Sequence, residues 1–447
     1  MDATLDQLAD FVCTTSDDRV PPHVMDRARD ILVDSLGCAV AGRDCPAADV
    51  AAGLGATTAR DDGVVIGHAD RAPVEIAAFW NSAMIRYLDF NDTGAPSGHP
   101  SDMIGAHVAL SRLAAASGAE MLTAVVIGHE VYNRITDRLL FDDRRLDNGY
   151  GTALGIAAAG SHLLGLTADQ TRQALSFAAT GAVSTRAARS GHLSQMKGFA
   201  TALAAKQAVF HLQLARAGLT APSDPFEGRH GMVELVTGEP GPLELTPFGD
   251  WTIMSGKLKY WPAATNTQPS VWAALELRDR LAPADIASVT LGVSRRAWHE
   301  SGSEAEKWDP QSRETADHSI PYLFARAFVD GVIEEASYAP AKLREPVVRD
   351  LMAKVRVVVE PELEAQRPKL VLGCRANVVD SEGVSHEAFI RGIPGDDAHP
   401  LSREQIFTKF LRLTSAVLGD RAVSAFDTAW NCAAAENFSR LLDEFRS

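Results

Sequence analysis

Asp89, Asp92, Thr93 and His99 stand close together in the segment Arg86-Tyr-Leu-Asp-Phe-Asn-Asp-Thr-Gly-Ala-Pro-Ser-Gly-His-Pro-Ser-Asp102. The same run contains Gly94, Pro96, Gly98 and Pro100, residues that exclude a helix or strand interior. A carboxylate and an imidazole on one loop offer a base and an acid whose pKa values burial can separate. Each residue taken singly also has a structural reading, because Asp and Asn cap helices and a histidine before proline serves in turns.

Three further segments carry candidate chemistry. Ser194-Gln-Met-Lys197-Gly-Phe-Ala opens an Ala-rich helix and places Lys197 near its start, where the helix dipole disfavours a cation. Lys197 reads either as a lysine snorkelling to solvent or as an inward carboxylate clamp. Lys257-Leu-Lys259-Tyr-Trp-Pro262 lies where the chain changes pattern, and ligand sites favour domain junctions. Its alternation fits a half-exposed strand equally well. In Lys307-Trp-Asp-Pro-Gln-Ser-Arg-Glu-Thr-Ala-Asp317-His-Ser-Ile-Pro-Tyr322, either Asp317 or Ser319 can cap the following helix. His318 there is open to a structural or a catalytic role.

The elements that must hold these residues follow from periodicity. Helical spacing predicts helices over 77–87 and 103–115, on either side of the Asp89 loop, and over 21–42, 119–137, 153–164, 168–180 and 199–217. The Gly- and Ala-rich stretch from Gly155 to Gly165 predicts close helix–helix approach and burial on all sides. After about residue 268 the pattern changes. Segments 286–293, 355–360 and 370–379, rich in Val, Ile and Leu, read as strands, with helices at 320–330 and 344–354 between them. The Gly/Pro/Asp run 392–400 reads as a linker. Helices return at 402–413, where Ser402 and Gln405 have capping-box spacing, and at 422–445. The expected fold is mainly α: a large all-helical domain built from both chain ends (1–267 and 396–447) with an inserted smaller α+β lid domain (268–395).

Composition narrows the function classes. The chain has 447 residues, 46% hydrophobic and 23% charged, with a net charge of −15. That charge opposes nonspecific nucleic-acid binding, and any anion site must be locally cationic. Cys13, Cys38, Cys45, Cys374 and Cys432 form no C-x-x-C pair, so a zinc ribbon, iron–sulfur cluster or disulfide framework is not expected. No apolar run reaches membrane-spanning length, and the N-terminus carries acids where a signal peptide carries Lys or Arg, so a cytoplasmic protein is expected. There is no G-x-G-x-x-G after a strand, no Walker A sequence, no H-E-x-x-H and no G-x-S-x-G elbow. His99 and His107 lack a metal-ligand set.

The chain resembles the MmgE/PrpD family nearly end to end. The most specific stretches are Arg86-Tyr-Leu-Asp-Phe-Asn-Asp-Thr with Gly-His-Pro-Ser101, and Met196-Lys-Gly leading to Gly218-Leu-Thr-Ala-Pro222. Pro225-Phe-Glu-Gly-Arg-His-Gly231 and Arg313-Glu-Thr-Ala-Asp-His-Ser-Ile-Pro-Tyr322 are equally telling. The family includes 2-methylcitrate dehydratase, cis-aconitate decarboxylase and iminodisuccinate epimerase, and the first branch is the nearest in pattern. The resemblance implies an all-helical domain with an α+β lid and the active site between them. It also implies a homodimer, no cofactor, no metal, and a small-molecule polycarboxylate as substrate.

Carried over residue by residue, the resemblance implies catalytic roles for Asp89, His99, Lys197 and Lys259. Lys257 is the alternative to Lys259 if the register differs. Substrate-binding roles are expected for Arg86, Thr93, Tyr150, Gln268 and His318. The sequence departs from the pattern at Gln268, where relatives often carry a histidine, and at Tyr150-Gly-Thr152, where a histidine-plus-threonine motif is usual. The loop between Thr93 and His99 is short beside the dehydratases.

The implied chemistry removes a proton beside a carboxylate. Lysines stabilise the enediolate-like charge, and an acid protonates the departing hydroxyl. Decarboxylation or epimerisation of a related acid uses the same constellation, and a non-catalytic ligand-binding homologue stays open as a different class.

Overall fold

In the computed structural model the described residues are 2–69, 71–94, 98–139, 146–189, 194–365 and 372–446. The fold is mainly α. The chain forms two compact units, Met1–Leu258 with Ser402–Ser447, and Lys259–Leu401.

The first unit begins with α1 (Ala3–Thr14), α2 (Pro22–Ala41), α3 (Pro46–Gly55), α4 (Val74–Tyr87), α5 (Ile104–Ser111), α6 (Gly118–Leu139), α7 (Gly149–Leu163), α8 (Ala168–Gly181) and α9 (Met196–Arg216). A two-residue ladder joins β1 (Gly63–Val64) to β2 (Arg71–Ala72). Helix α2 starts on Pro22, whose fixed φ suits a first helical position, and buries Val24, Ala28, Ile31, Leu32 and Leu36. The Gly/Ala pattern of α7 does what it predicts, since nearly every residue from Gly149 to Leu163 is buried. A methyl group at Gly155 would overlap the Met103 sulfur and come within 2.8 Å of the Gly128 carbonyl, so α6 and α7 touch backbone to backbone. The helix expected over 103–115 is shorter: a 3-10 turn, Pro100–Met103, precedes α5, which ends at Ser111. Proline at the first position of that turn sets its start.

The second unit contains α10 (Gln268–Arg278), α11 (Ile320–Asp330) and α12 (Pro346–Ala353), with strands β3 (Ile286–Val293), β4 (Val355–Val359), β5 (Gly373–Asp380) and β6 (Ser385–Arg391). The sheet order is β4-β3-β5-β6; β4 runs parallel to β3, and the other pairs are antiparallel. Cys374, Ala376 and Val378 of β5 alternate inward against α10 and α11 residues such as Val271, Leu277, Leu323 and Phe328. The strand expected at 370–379 is β5; Leu370 itself lies outside the described residues. Strand β6 was not expected, because along it only Ala388 is buried and no apolar alternation marks it.

The chain returns to the first unit with α13 (Arg403–Leu418) and α14 (Arg421–Trp430). The capping box at Ser402 and Gln405 is formed. The single helix expected over 422–445 is instead broken after Trp430. Asn431 closes α14 by donating to the Asp427 carbonyl, and Asn437 starts a new turn by accepting from Ser439 N–H. The intervening backbone pairs with the turn before α6 through Gly118 N–H to Ala435 O and Phe438 N–H to Ala116 O, both 2.8 Å. Tertiary pairing overrides local helical preference there.

Candidate active site

Helix α4 delivers the first two groups. Arg86 lies in its last turn, and Asp89 follows with φ +50°, a left-handed conformation that costs energy for a residue with a Cβ. Two contacts from Arg86 hold it: the Asp89 N–H donates to the Arg86 carbonyl at 3.1 Å, and Arg86 Nη1 lies 2.7 Å from Asp89 Oδ1. Both side chains are buried, so the pair is a low-dielectric one. The next residue, Phe90, is buried with Cys38, Leu88 and Leu413, worth about 1.5–3 kcal/mol.

Asp92 is the hub of the loop. Its backbone carbonyl accepts from His99 Nδ1 at 2.6 Å, and its Oδ1 accepts from Ser101 N–H at 3.0 Å. A carbonyl is an acceptor only, so Nδ1 carries a proton and Nε2 is the nitrogen that exchanges one. His99 Nε2 faces Asp89 Oδ1 at 3.5 Å. On its other side, Asp92 Oδ2 lies 3.2 Å from Nε2 of His129 on α6, whose Nδ1 donates to the Val125 carbonyl at 2.8 Å. Gly98 has φ +75°, and a methyl group there would overlap the Tyr132 hydroxyl and the Asn148 amide. Only glycine lets the chain bend there into His99.

Beneath the loop, Asn91 Nδ2 donates to Ser101 Oγ at 2.8 Å and to Asp102 Oδ1 at 2.7 Å. Asp102 Oδ2 lies 3.9 Å from Arg86 Nε, so one guanidinium faces two carboxylates. Burial pushes the Asp102 carboxyl up to about 7, against the opposing pull of Arg86 and hydrogen bonds from Thr201 and Asn91; Asp92 adds to the rise. His107 on α5 moves the other way, down to about 3, through burial and then the nearby His129.

Thr93 pairs with Lys257 by two backbone hydrogen bonds, Thr93 N–H to Lys257 O at 2.7 Å and Lys257 N–H to Thr93 O at 2.9 Å. The first unit therefore joins Arg86, Asp89, Thr93, His99 and Lys257 through one continuous set of contacts. Lys257 and Lys259 are both buried, which excludes the half-exposed strand reading. Lys197 in the first turn of α9 is also buried, which excludes a position on the surface.

In the second unit Gln268 is fully buried and its amide is engaged by backbone. Oε1 accepts from Trp261 N–H at 3.2 Å, and Nε2 donates to the carbonyls of Trp261 at 2.9 Å and Ala263 at 3.1 Å. It shapes the segment that follows Lys259. Tyr338 adds a hydrogen bond to the Pro262 carbonyl at 2.6 Å. His318 Nδ1 lies 2.5 Å from Asp317 Oδ1. Of the two proposed caps for α11, Ser319 is the one formed, accepting from Tyr322 N–H at 3.1 Å.

Tyr150 is not joined to the Asp89 loop by these contacts. It is fully buried in α7, its hydroxyl donates to the Ala179 carbonyl of α8 at 3.3 Å, and burial raises its pKa well above the ordinary phenol value. The buried thiols Cys374 and Cys432 are pushed up to about 12 and about 11 by desolvation, which disfavours the thiolate.

The model of the MmgE/PrpD N-terminal domain matches residues 6–244, and that of the C-terminal domain matches residues 261–432. The chain belongs to the MmgE/PrpD family. A 2-methylcitrate dehydratase of Cupriavidus necator is 30% identical over 76% of the chain and 74% of its own length. An alkylcitrate dehydratase from a fungal species is 29% identical over 92% of the chain and 88% of its own. Human cis-aconitate decarboxylase is 26% identical over 89% and 84%.

Several residues that build this MmgE/PrpD loop were not singled out by sequence reasoning: Asn91, Asp102, His129, Arg27, Asp34 and Lys409. A usable signal existed for the last three. Arg27 and Asp34 sit on the apolar stripe of α2, and Lys409 sits between Ile406 and Leu413 on that of α13. A charge on a core-facing stripe requires a partner, which points to a buried network. Among the described residues, no helix is long and apolar enough to cross a membrane.

Proposed function

We propose that the chain is a lyase that dehydrates a 2-methylcitrate-like hydroxy polycarboxylic acid by acid–base catalysis, without a cofactor and as a cytoplasmic homodimer. One observation carries the reading. A buried carboxylate faces an imidazole whose Nδ1 proton is committed to backbone, leaving Nε2 as the exchanging nitrogen.

Asp89 and His99 divide two proton transfers. One takes the proton from the carbon beside a substrate carboxylate, and the electron pair delocalises onto that carboxylate. The carbon–oxygen bond of the neighbouring hydroxyl then breaks, the other residue protonates the departing oxygen, and the products are water and an unsaturated acid. Lys197 and Lys259 hold carboxylates and stabilise the growing charge. Thr93 hydrogen-bonds substrate. Arg86, paired with Asp89, orients that carboxylate. The dehydratases among the relatives support this reaction class.

The test is proton NMR of chelator-treated protein in D2O with 2-methylcitrate, citrate, cis-aconitate and a racemisable dicarboxylate. Appearance of an unsaturated acid from 2-methylcitrate is the expected result. Loss of CO2 or deuterium exchange without dehydration assigns the decarboxylase or epimerase branch instead. Silence with every acid overturns the reading in favour of a ligand-binding role. Sedimentation velocity checks the dimer.

A further inference from the structure

Helix α13 carries a lysine on its core seam. Lys409 stands among Ile406, Phe410 and Leu413 and is buried, as they are. Its ammonium lies 2.6 Å from Asp34 Oδ1 on α2 and 4.1 Å above the Phe90 ring, and it donates to the Phe90 carbonyl at 2.8 Å. An ion pair kept only for packing needs two side chains. This one has a third partner, the backbone of the residue after Asp89.

That placement matters because Asp89 is left-handed. A strained residue persists only where its surroundings fix it on both sides. Arg86 holds the Asp89 N–H and carboxylate, and Lys409 holds the carbonyl of Phe90, one residue further along the chain. On the same stripe of α2, Arg27 donates to the Gly256 carbonyl at 2.6 Å, one residue before Lys257 pairs with Thr93. Buried charges on α2 and α13 thus hold backbone carbonyls near both residues of the Thr93–Lys257 bridge, at Phe90 and Gly256.

We propose that Lys409, with Asp34 as its counter-ion, is a positioning residue: by holding the Phe90 carbonyl it keeps the backbone that follows Asp89 in the conformation the acid–base step uses. The proposal rests on the function proposed above.

Three variants test it: Lys409→Met, the apolar double replacement Asp34→Leu with Lys409→Met, and Lys409→Arg. Each is read by urea midpoint, by kcat and KM on 2-methylcitrate, and by crystal structure. Lys409→Met alone leaves Asp34 buried without its cation and lowers the midpoint. The double replacement removes both charges and recovers it. Expected in the double variant is a kcat still reduced by roughly 10–100-fold with KM little changed, because the Phe90 carbonyl has lost its donor and Asp89 has shifted. Lys409→Arg, which keeps a donor, restores a large part of kcat.

A double variant that regains wild-type kcat together with stability overturns the proposal, since the pair would then be structural only. If the wild-type protein turns over none of the acids, the function reading fails separately. The crystal structure of the double variant still decides the positioning claim. Asp89 retained at positive φ with the 3.5 Å approach to His99 overturns it, and a relaxed Asp89 upholds it.

Discussion

Two loops of this protein solve the same mechanical problem with different chemistry. Both the described parts of the Asp89–Asp102 loop, 89–94 and 98–102, and the turn after Lys259 lie outside α-helix and strand and must keep one shape. In the first, charged side chains hold the chain, Arg86 on Asp89 and Lys409 on the Phe90 carbonyl, while the His129 ring contacts Asp92. In the second, the neutral amide of Gln268 satisfies three backbone groups, and the Tyr338 hydroxyl a fourth. A neutral brace fixes shape alone. A charged brace fixes shape and also sets the field in which nearby groups titrate, which suits the loop to which the proton transfers are assigned under the proposed function.

The largest test of that contrast is His99→Asn. Asparagine can still donate to the Asp92 carbonyl in place of Nδ1–H, but it has nothing in place of Nε2. Loss of about 10²–10⁴ in kcat is expected, with the melting temperature nearly unchanged. Wild-type turnover would remove His99 from the mechanism.

Gly98→Ala tests shape in the same loop without touching a charge. Left-handed strain plus overlap with Tyr132 and Asn148 is expected to cost about 2–4 kcal/mol of stability, read by urea unfolding. Activity should fall with it, since the loop cannot bend into His99 unless its neighbours move.

Gln268→Ala is the counterpart in the neutral loop. It strips hydrogen-bond partners from Trp261 and Ala263, at about 1–3 kcal/mol. Because no charge is involved, the difference from wild type should be the same at pH 5 and pH 9. A pH-dependent difference would mean that the amide acts through a titrating neighbour, and the contrast between the loops would weaken.

The contrast also separates what was legible in the sequence from what was not. Local signals marked the elements. The 3.6-residue spacing located α2, α6, α8 and α9, β-branched runs located β3 and β4, and the Gly, Pro and Asx residues marked the non-helical stretch after α4. Partners across long sequence distances were hidden. Nothing near Phe90 announces Lys409, and α6 read as an ordinary helix although His129 supplies the contact that holds Asp92. The broken C-terminal helix failed for the same reason, because its break is made by pairing with the turn before α6. Strand β6 was illegible on different grounds: with one buried residue it has almost no apolar pattern to read.

The smallest effect per pH unit compares two buried groups on either side of the α5 start. Asp102 has its folded value pushed up to about 7, far above a carboxylate's ordinary range. Between that range and pH 7 the folded state therefore keeps a proton that the unfolded state has lost, so this group makes stability fall as pH rises. His107 has its folded value pushed down to about 3, below that of an exposed imidazole. From pH 3 to about 6.5 the unfolded state holds the extra proton, so this group makes stability rise with pH. The two tilts oppose each other over most of one window and largely cancel in the wild type. Single variants uncover them. Asp102→Asn should gain on the wild type from pH 4 to 7, and His107→Gln should lose ground to it from pH 3 to 6.5, each by at most about 1.4 kcal/mol per pH unit. Urea unfolding across that range is the measurement. Curves that stay parallel to wild type would show that neither group is desolvated to this degree, and the electrostatic half of the contrast between the loops would then rest on Arg86 and Lys409 alone.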